Sequence, residues 1–152
     1  MMSLLLSTLS AMISIQTGII LFCHNRLNNL CTNPNLTTAD IPSHVTEIGN
    51  GAFLDCKSLK RVKIPNYVTK INTASFQHCE SLTRVEIPKS VTLIDNLAFS
   101  ACTGLTRVDI PSTVTKIGNY AFADCPNLTI YGKSGSQAEV YARANKIKFK
   151  AQ

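Results

Sequence analysis

A phenylalanine and a cysteine three residues apart return every 23 residues: Phe53 with Cys56, Phe76 with Cys79, Phe99 with Cys102 and Phe122 with Cys125. They belong to a longer unit that keeps one register throughout. Ile-Pro recurs at 41–42, 64–65, 87–88 and 110–111, and Val-Thr at 45–46, 68–69, 91–92 and 114–115. Ile follows at 48, 71, 94 and 117, and Leu closes each unit at 59, 82, 105 and 128. A unit of 23 residues is too short to bury a core of its own. Stacked copies can do so, because equivalent side chains then lie over one another in ladders. The period therefore restricts the chain to a solenoid.

Each unit can be read for shape. "LKRVKIP", "LTRVEIP" and "LTRVDIP" place Val and Ile two apart between polar residues, which is strand spacing, and Pro ends the strand. Val62, Val85 and Val108 form one rank of this strand, and Tyr131 fills it last. "VTEIGNG" and its equivalents read as short extended segments running into turn residues. Ala, Phe, Cys and Leu then follow at the spacing of a short helical turn with one face inward. Beyond the last unit, Ser136 and Glu139 form a capping-box pattern for a helix from about 137 to 144. Ala138, Tyr141 and Ala144 would face the last rung, with "IKF" at 147–149 as a closing strand. Upstream, "LTTADIP" at 36–42 keeps the strand register, and Leu30 and Asn33 fall on the Phe and Cys ranks. A degenerate half-repeat thus begins near residue 29. The division is 1–28 apolar leader, 29–131 repeats and 132–152 cap.

The leader, "MMSLLLSTLSAMISIQTGIILFC", holds no charge and is long enough to cross a bilayer as a helix. Ser and Thr interrupt it, it lacks a basic start, and no A-x-A-like cleavage site stands out. Three readings stay open: an export signal or membrane anchor, an apolar cap packed on the domain, or an upstream extension that is not native coding sequence. If the segment anchors, Arg26 on its C-terminal side would keep the repeats cytoplasmic.

The formal net charge is +6. Residues 1–132 carry 10 Lys/Arg against 8 Asp/Glu, or +2, and residues 133–152 carry 5 against 1, or +4. The excess is a short basic end with Lys146, Lys148 and Lys150, which suits a solvated edge that discourages strand pairing. A nucleic-acid binder would carry a basic stripe along its folded body, so nucleic acid is not expected as a partner.

The four ladder cysteines pose the first chemical question. Zinc ligands converge on one point, whereas these would lie in a line one rung apart. Buried cysteine packs as a small hydrophobe. Cys56, Cys79, Cys102 and Cys125, with Phe53, Phe76, Phe99 and Phe122, are therefore read as a structural ladder of free thiols, with disulfides or metal as the alternatives. Cys23 and Cys31 lie outside it and could pair with each other in an exported chain. His24, His44 and His78 occupy unlike environments, and no carboxylate pair, phosphate loop or H-E-x-x-H is present. Neither an enzyme nor a cofactor is expected. The Asn-Leu-Thr sequences at 35–37 and 127–129 match glycosylation acceptors, but they fall where the repeat itself carries that triplet.

The exposed strand positions are more informative. Arg61, Arg84 and Arg107 share one rank, flanked by Lys63, Glu86 and Asp109. Such a face is either a self-paired charged surface, each pair contributing little, or a recognition surface with arginine anchors. Tyr67 and Tyr120 sit near the turns and would extend it sideways.

These residues resemble the BspA-like class of leucine-rich repeats, whose unit "IPxSVTxIGxxAFxxCxxLxxVx" is met nearly residue for residue by "IPSTVTKIGNYAFADCPNLTI" at 110–130. "YGKSGSQAEVYARANKIKF" is similar to that family's terminal cap, and the likeness covers roughly 36–149. The resemblance implies an α/β-type repeat solenoid, a right-handed arc with one parallel sheet and short helical turns. It also implies display on a cell surface and a protein or cell-surface ligand. The expected function is a non-catalytic, adhesion-type binding module. The alternatives are a spacer or fragment of a longer array, and an intracellular scaffold tethered to a membrane through 1–23.

Overall fold

A computed structural model describes residues 36–152 and the pair Ile19–Ile20. The rest of the apolar leader and the start of the half-repeat, with Cys23, His24, Leu30, Cys31 and Asn33, lie outside the described residues. Among the described residues no helix is long and apolar enough to cross a membrane.

The Val-x-Ile strands stack on one side: β2 (Thr38–Asp40), β4 (Arg61–Lys63), β6 (Arg84–Glu86), β8 (Arg107–Ile110), β10 (Thr129–Gly132) and the closing β11 (Lys148–Ala151). All pairings along it are parallel, as one repeat follows another. The sequence implied a single sheet, and the structure adds a second. The short extended segments after each Pro form two-residue strands β3 (Glu47–Ile48), β5 (Lys70–Ile71), β7 (Leu93–Ile94) and β9 (Lys116–Ile117). These pair in parallel with a 23-residue offset, Glu47 to Lys70 to Leu93 to Lys116. The recurrent Thr explains itself here: the Thr69, Thr92 and Thr115 hydroxyls donate to the carbonyls of Thr46, Thr69 and Thr92 one rung back. Within the leader, β1 (Ile19–Ile20) extends this sheet by pairing with Glu47 and Ile48.

The third side is also a ladder, not the expected helical turn. In each full unit two residues take a left-handed backbone: Gly51 and Asp55, Ala74 and His78, Leu97 and Ala101, Tyr120 and Asp124. Such residues interrupt a right-handed helix. Alternate N–H groups point along the stack instead. Ala74, Phe76 and His78 donate to the carbonyls of Asn96, Ala98 and Ser100, and Leu97, Phe99 and Ala101 to those of Asn119, Ala121 and Ala123. Only Gly51 meets this backbone without steric cost. At the other positions the inter-turn bonds hold it.

Inside the three sides, Ile48, Ile71 and Ile94, Phe76 and Phe99, Cys79 and Cys102, and Leu59, Leu82 and Leu105 are fully buried. The four Phe rings form a near-parallel column with centroids 5.0, 5.1 and 5.2 Å apart. That spacing is an offset stack.

The C-terminal cap follows the expected plan, with α1 (Gln137–Ala144) before β11. Three details differ. The Ser136 hydroxyl makes no capping bond. Glu139 instead accepts from the Gly135 N–H at 2.7 Å and pairs with Arg143. Ala142, not Ala144, joins Ala138 and Tyr141 on the buried face. The last strand is also one residue out of step: Thr129 pairs with Arg107 and Ile130 with Val108. Ile130 therefore fills the buried rank, and Tyr131 lies on the outer face beside Asp109. The cause is legible in "LTIYG", where Ile follows Leu128 by two residues, while Val108 follows Leu105 by three.

Candidate functional site

The ladder cysteines are held as packing groups. The Cys79, Cys102 and Cys125 thiols donate to the carbonyls of Phe53, Phe76 and Phe99 one turn back, at 3.2, 3.1 and 3.3 Å. Sulfur thus fills space and satisfies a carbonyl lone pair in each step. Cys79, Cys102 and Cys125 are free thiols. Cys56 corrects the uniform reading, because it is disulfide-bonded. It opens the series, and the position 23 residues before it is Asn33, not a further ladder cysteine.

Burial pushes the Cys125 thiol up to about 12 from its ordinary value of 9.0. The hydrogen bond with Cys79, and then burial, push Cys102 up as well. A native thiol held neutral while the unfolded thiol ionises contributes stability below the unfolded value, and loses it as pH rises toward the folded one. Unfolding free energy is therefore expected to fall steadily from about pH 9 to pH 12, as read by urea titrations at each pH. At pH 8 the three thiols should resist a soluble alkylating reagent until urea unfolds the chain, because the thiolate is the reactive form. Rapid alkylation in the native state would contradict this placement.

Among the described residues no three His, Cys, Asp or Glu side chains converge on a point that could hold a metal ion. His78 has a left-handed backbone within the turn ladder, and its N–H donates to the Ser100 carbonyl. It is placed by the fold and not by a catalytic partner.

The six charged residues singled out by their ranks do share one outer face. The three arginines align through β4, β6 and β8, with Lys63, Glu86 and Asp109 two residues further along each strand. Their environments divide into two. Toward the C-terminus the charges pair. The Arg107 guanidinium donates twice to Asp109, at 2.8 and 2.6 Å, and lies 3.9 Å over the Tyr131 ring. Arg84 bonds Glu86 at 2.6 Å and reaches Asp109 at 3.5 Å. Gln152 donates to the same Asp109 from β11. The Arg107 hydrogen bonds hold the Asp109 carboxyl below the usual carboxylate range against the opposing effect of burial. Tyr131 and Gln152 were missed by rank counting, because they reach the face through the shortened last strand and the cap.

Toward the N-terminus, Arg61 and Lys63 are exposed and, among the described residues, make no ion pair. Tyr67 and Tyr120 are also well exposed, at 67% and 66%. They lie on the turns to the side of the charged face.

Comparison with known proteins matches this arrangement. The family model for "BspA type Leucine rich repeat region" matches residues 27–145 in 6 copies. A solved leucine-rich cell surface protein from Faecalibacterium prausnitzii is similar at 28% identity and a TM-score of 0.56, covering 70% of this chain and 34% of that one. A leucine-rich repeat protein from T. pallidum is similar at 33% identity and a TM-score of 0.58, covering 62% of this chain and 45% of that one. The chain thus spans less than half the length of either structure. No curated protein matches it.

Proposed function

The chain belongs to the BspA-type leucine-rich repeat family, and from that premise we propose that it is a non-catalytic protein-binding module that works at a cell surface. The single observation carrying this reading is the strand face. Six charged residues in register stand outside a core that spends its cysteines on packing. The likeness to a protein described as a leucine-rich cell surface protein supports the location. Repeat solenoids bind through residues that the stacking does not need, and a planar guanidinium on a flat sheet is a common anchor. Ligand choice then lies with Arg61, Lys63, Arg84, Glu86, Arg107 and Asp109, and the division of the chain into leader, repeats and cap places that choice in 29–131.

The test is surface plasmon resonance of the full chain against purified extracellular-matrix and cell-surface proteins, with binding to whole cells alongside. At least one protein ligand is expected, and the double variant Arg61→Glu/Arg84→Glu should weaken it by at least about tenfold, the loss of one anchor contact. A folded chain that binds none of the proteins and no cells would overturn the reading. A spacer role in a longer array is the second reading, favoured by the short span of the chain against its structural neighbours. It expects no ligand and no effect of the double variant.

A further inference from the structure

The outer face is not one continuous sheet. Strands β6, β8, β10 and β11 form a four-stranded sheet, and β2 and β4 form a separate pair. One repeat further on, the Arg107 N–H donates to the Thr83 carbonyl and the Ile87 N–H to the Asp109 carbonyl. The matching bonds, Arg84 to Lys60 and Ile64 to Glu86, are not made. The second sheet and the turn ladder run unbroken past the same level, as Lys70 pairs with Leu93 and Phe76 donates to Ala98. The opening is therefore local to the outer face. It forms a groove of about 780 Å³ lined by Lys60, Arg61, Lys63, Arg84, Lys89 and Glu86.

Its charge is unbalanced. Five cations face one carboxylate, and Glu86 is already engaged by Arg84. Lys60, Arg61, Lys63 and Lys89 make no ion pair among the described residues. Asp40 is aligned with Lys63 on the neighbouring strand but forms no ion pair with it. The next step shows what is lacking. Between Arg84 and Arg107, Asp109 lies 3.5 Å from one guanidinium and 2.6 Å from the other, so a carboxylate bridges two stacked arginines. Between Arg61 and Arg84 no carboxylate does this, and like charges on adjacent strands repel.

We propose that this groove binds an acidic, extended segment of a partner protein, whose carboxylate bridges Arg61 and Arg84 as Asp109 bridges Arg84 and Arg107. This names the partner chemistry for the binding module proposed above and rests on that reading. A peptide fits better than a sulfated sugar because the groove is bounded by two strand edges lacking main-chain partners. Peptide amides offer donors and acceptors at strand spacing, and alternate side chains reach opposite directions.

The experiment is fluorescence anisotropy of the full chain with a labelled ten-residue Asp/Glu-rich peptide. A Lys-rich peptide and a sulfated heparin-type oligosaccharide serve as further probes. Binding of the acidic peptide is expected, weakening as NaCl rises from 50 to 300 mM because exposed charges are screened. Arg61→Gln/Lys63→Gln should cost more than about tenfold in affinity, consistent with losing the central anchors. Lys148→Gln/Lys150→Gln removes the same charge at the far end and should cost less than about twofold, since distant charges are screened. Circular dichroism melts confirm that both variants fold. Absence of peptide binding, equal losses in the two variants, or tighter binding of the sulfated oligosaccharide would each overturn the proposal. If the chain ignores the acidic peptide but still captures a protein from the surface panel, the groove assignment fails and the binding-module reading stands. If it binds neither, both fail.

Discussion

Replacing Phe99 by alanine is expected to lower the unfolding free energy by about 3–5 kcal/mol, the range for deleting a buried aromatic ring. Phe99 has no exposed surface and stacks on Phe76 at 5.1 Å and Phe122 at 5.2 Å. Its site cannot collapse easily. The turn carrying it is bonded forward through the Phe99 N–H to Ala121, and backward through the Ala98 carbonyl to Phe76. Strands β7 and β8 are fixed on the other two sides. The empty volume therefore persists, and the cavity contribution stays near its upper range. A domain of this size has about 5–15 kcal/mol in total, so the loss would bring it close to unfolding. Urea denaturation provides the measurement. A fall in midpoint with an unchanged slope means the array still unfolds as one unit, whereas a lower slope means the two halves have uncoupled. Tyr67→Ala, at an exposed ring, should change stability by no more than about 0.5 kcal/mol. A loss below about 1 kcal/mol for Phe99→Ala would show that the aromatic column is not a source of stability.

The residues of that column were legible because a fixed period places like on like. Phe, Ile, Leu and Cys needed no structural knowledge to be assigned to the interior, since a 23-residue unit has nowhere else to bury them. What the period could not convey was direction. Ala74, His78, Leu97 and Tyr120 do not announce a left-handed backbone, and spacing by three reads as a helix. The deciding force is the hydrogen bond to the next turn, which no single unit contains. The Ile130 register had a signal, the missing residue after Leu128, which a strict count of ranks passed over. The charged face was half legible. Rank counting found all six residues, yet Asp109 bridging two arginines and the unbridged gap at Arg61 depend on which strands close together. The disulfide at Cys56 was hidden for a related reason. A repeat pattern treats all four cysteines alike, while the first of them has a different neighbour.

The end of the column makes the second large prediction, at Tyr141. In every interior step the N–H of a ladder Phe donates to a carbonyl of the following unit. After Phe122 there is no following unit, and the Tyr141 hydroxyl takes the bond at 3.1 Å. Its ring meets Phe122 edge-on at 5.8 Å and ends the parallel stack with a T-shaped contact. One side chain thus supplies both the missing acceptor and the missing ring. Tyr141→Ala should cost about 3–5 kcal/mol, as for other buried aromatic deletions. Tyr141→Phe keeps the ring and removes the acceptor, so it should cost about 1–3 kcal/mol for the stranded N–H. The two variants also separate in pH. Burial raises the Tyr141 phenol above its ordinary value of 10.0. Its neutral form therefore adds stability that is complete below pH 10 and lost as pH climbs beyond it. Tyr141→Phe should flatten the stability curve above pH 10, leaving the thiol-dependent fall that begins near pH 9. If the two variants lose the same amount and titrate alike, the ring contributes nothing beyond its hydroxyl. The cap would then hold the solenoid through β11 and the pairing of Ile130 with Phe149 instead.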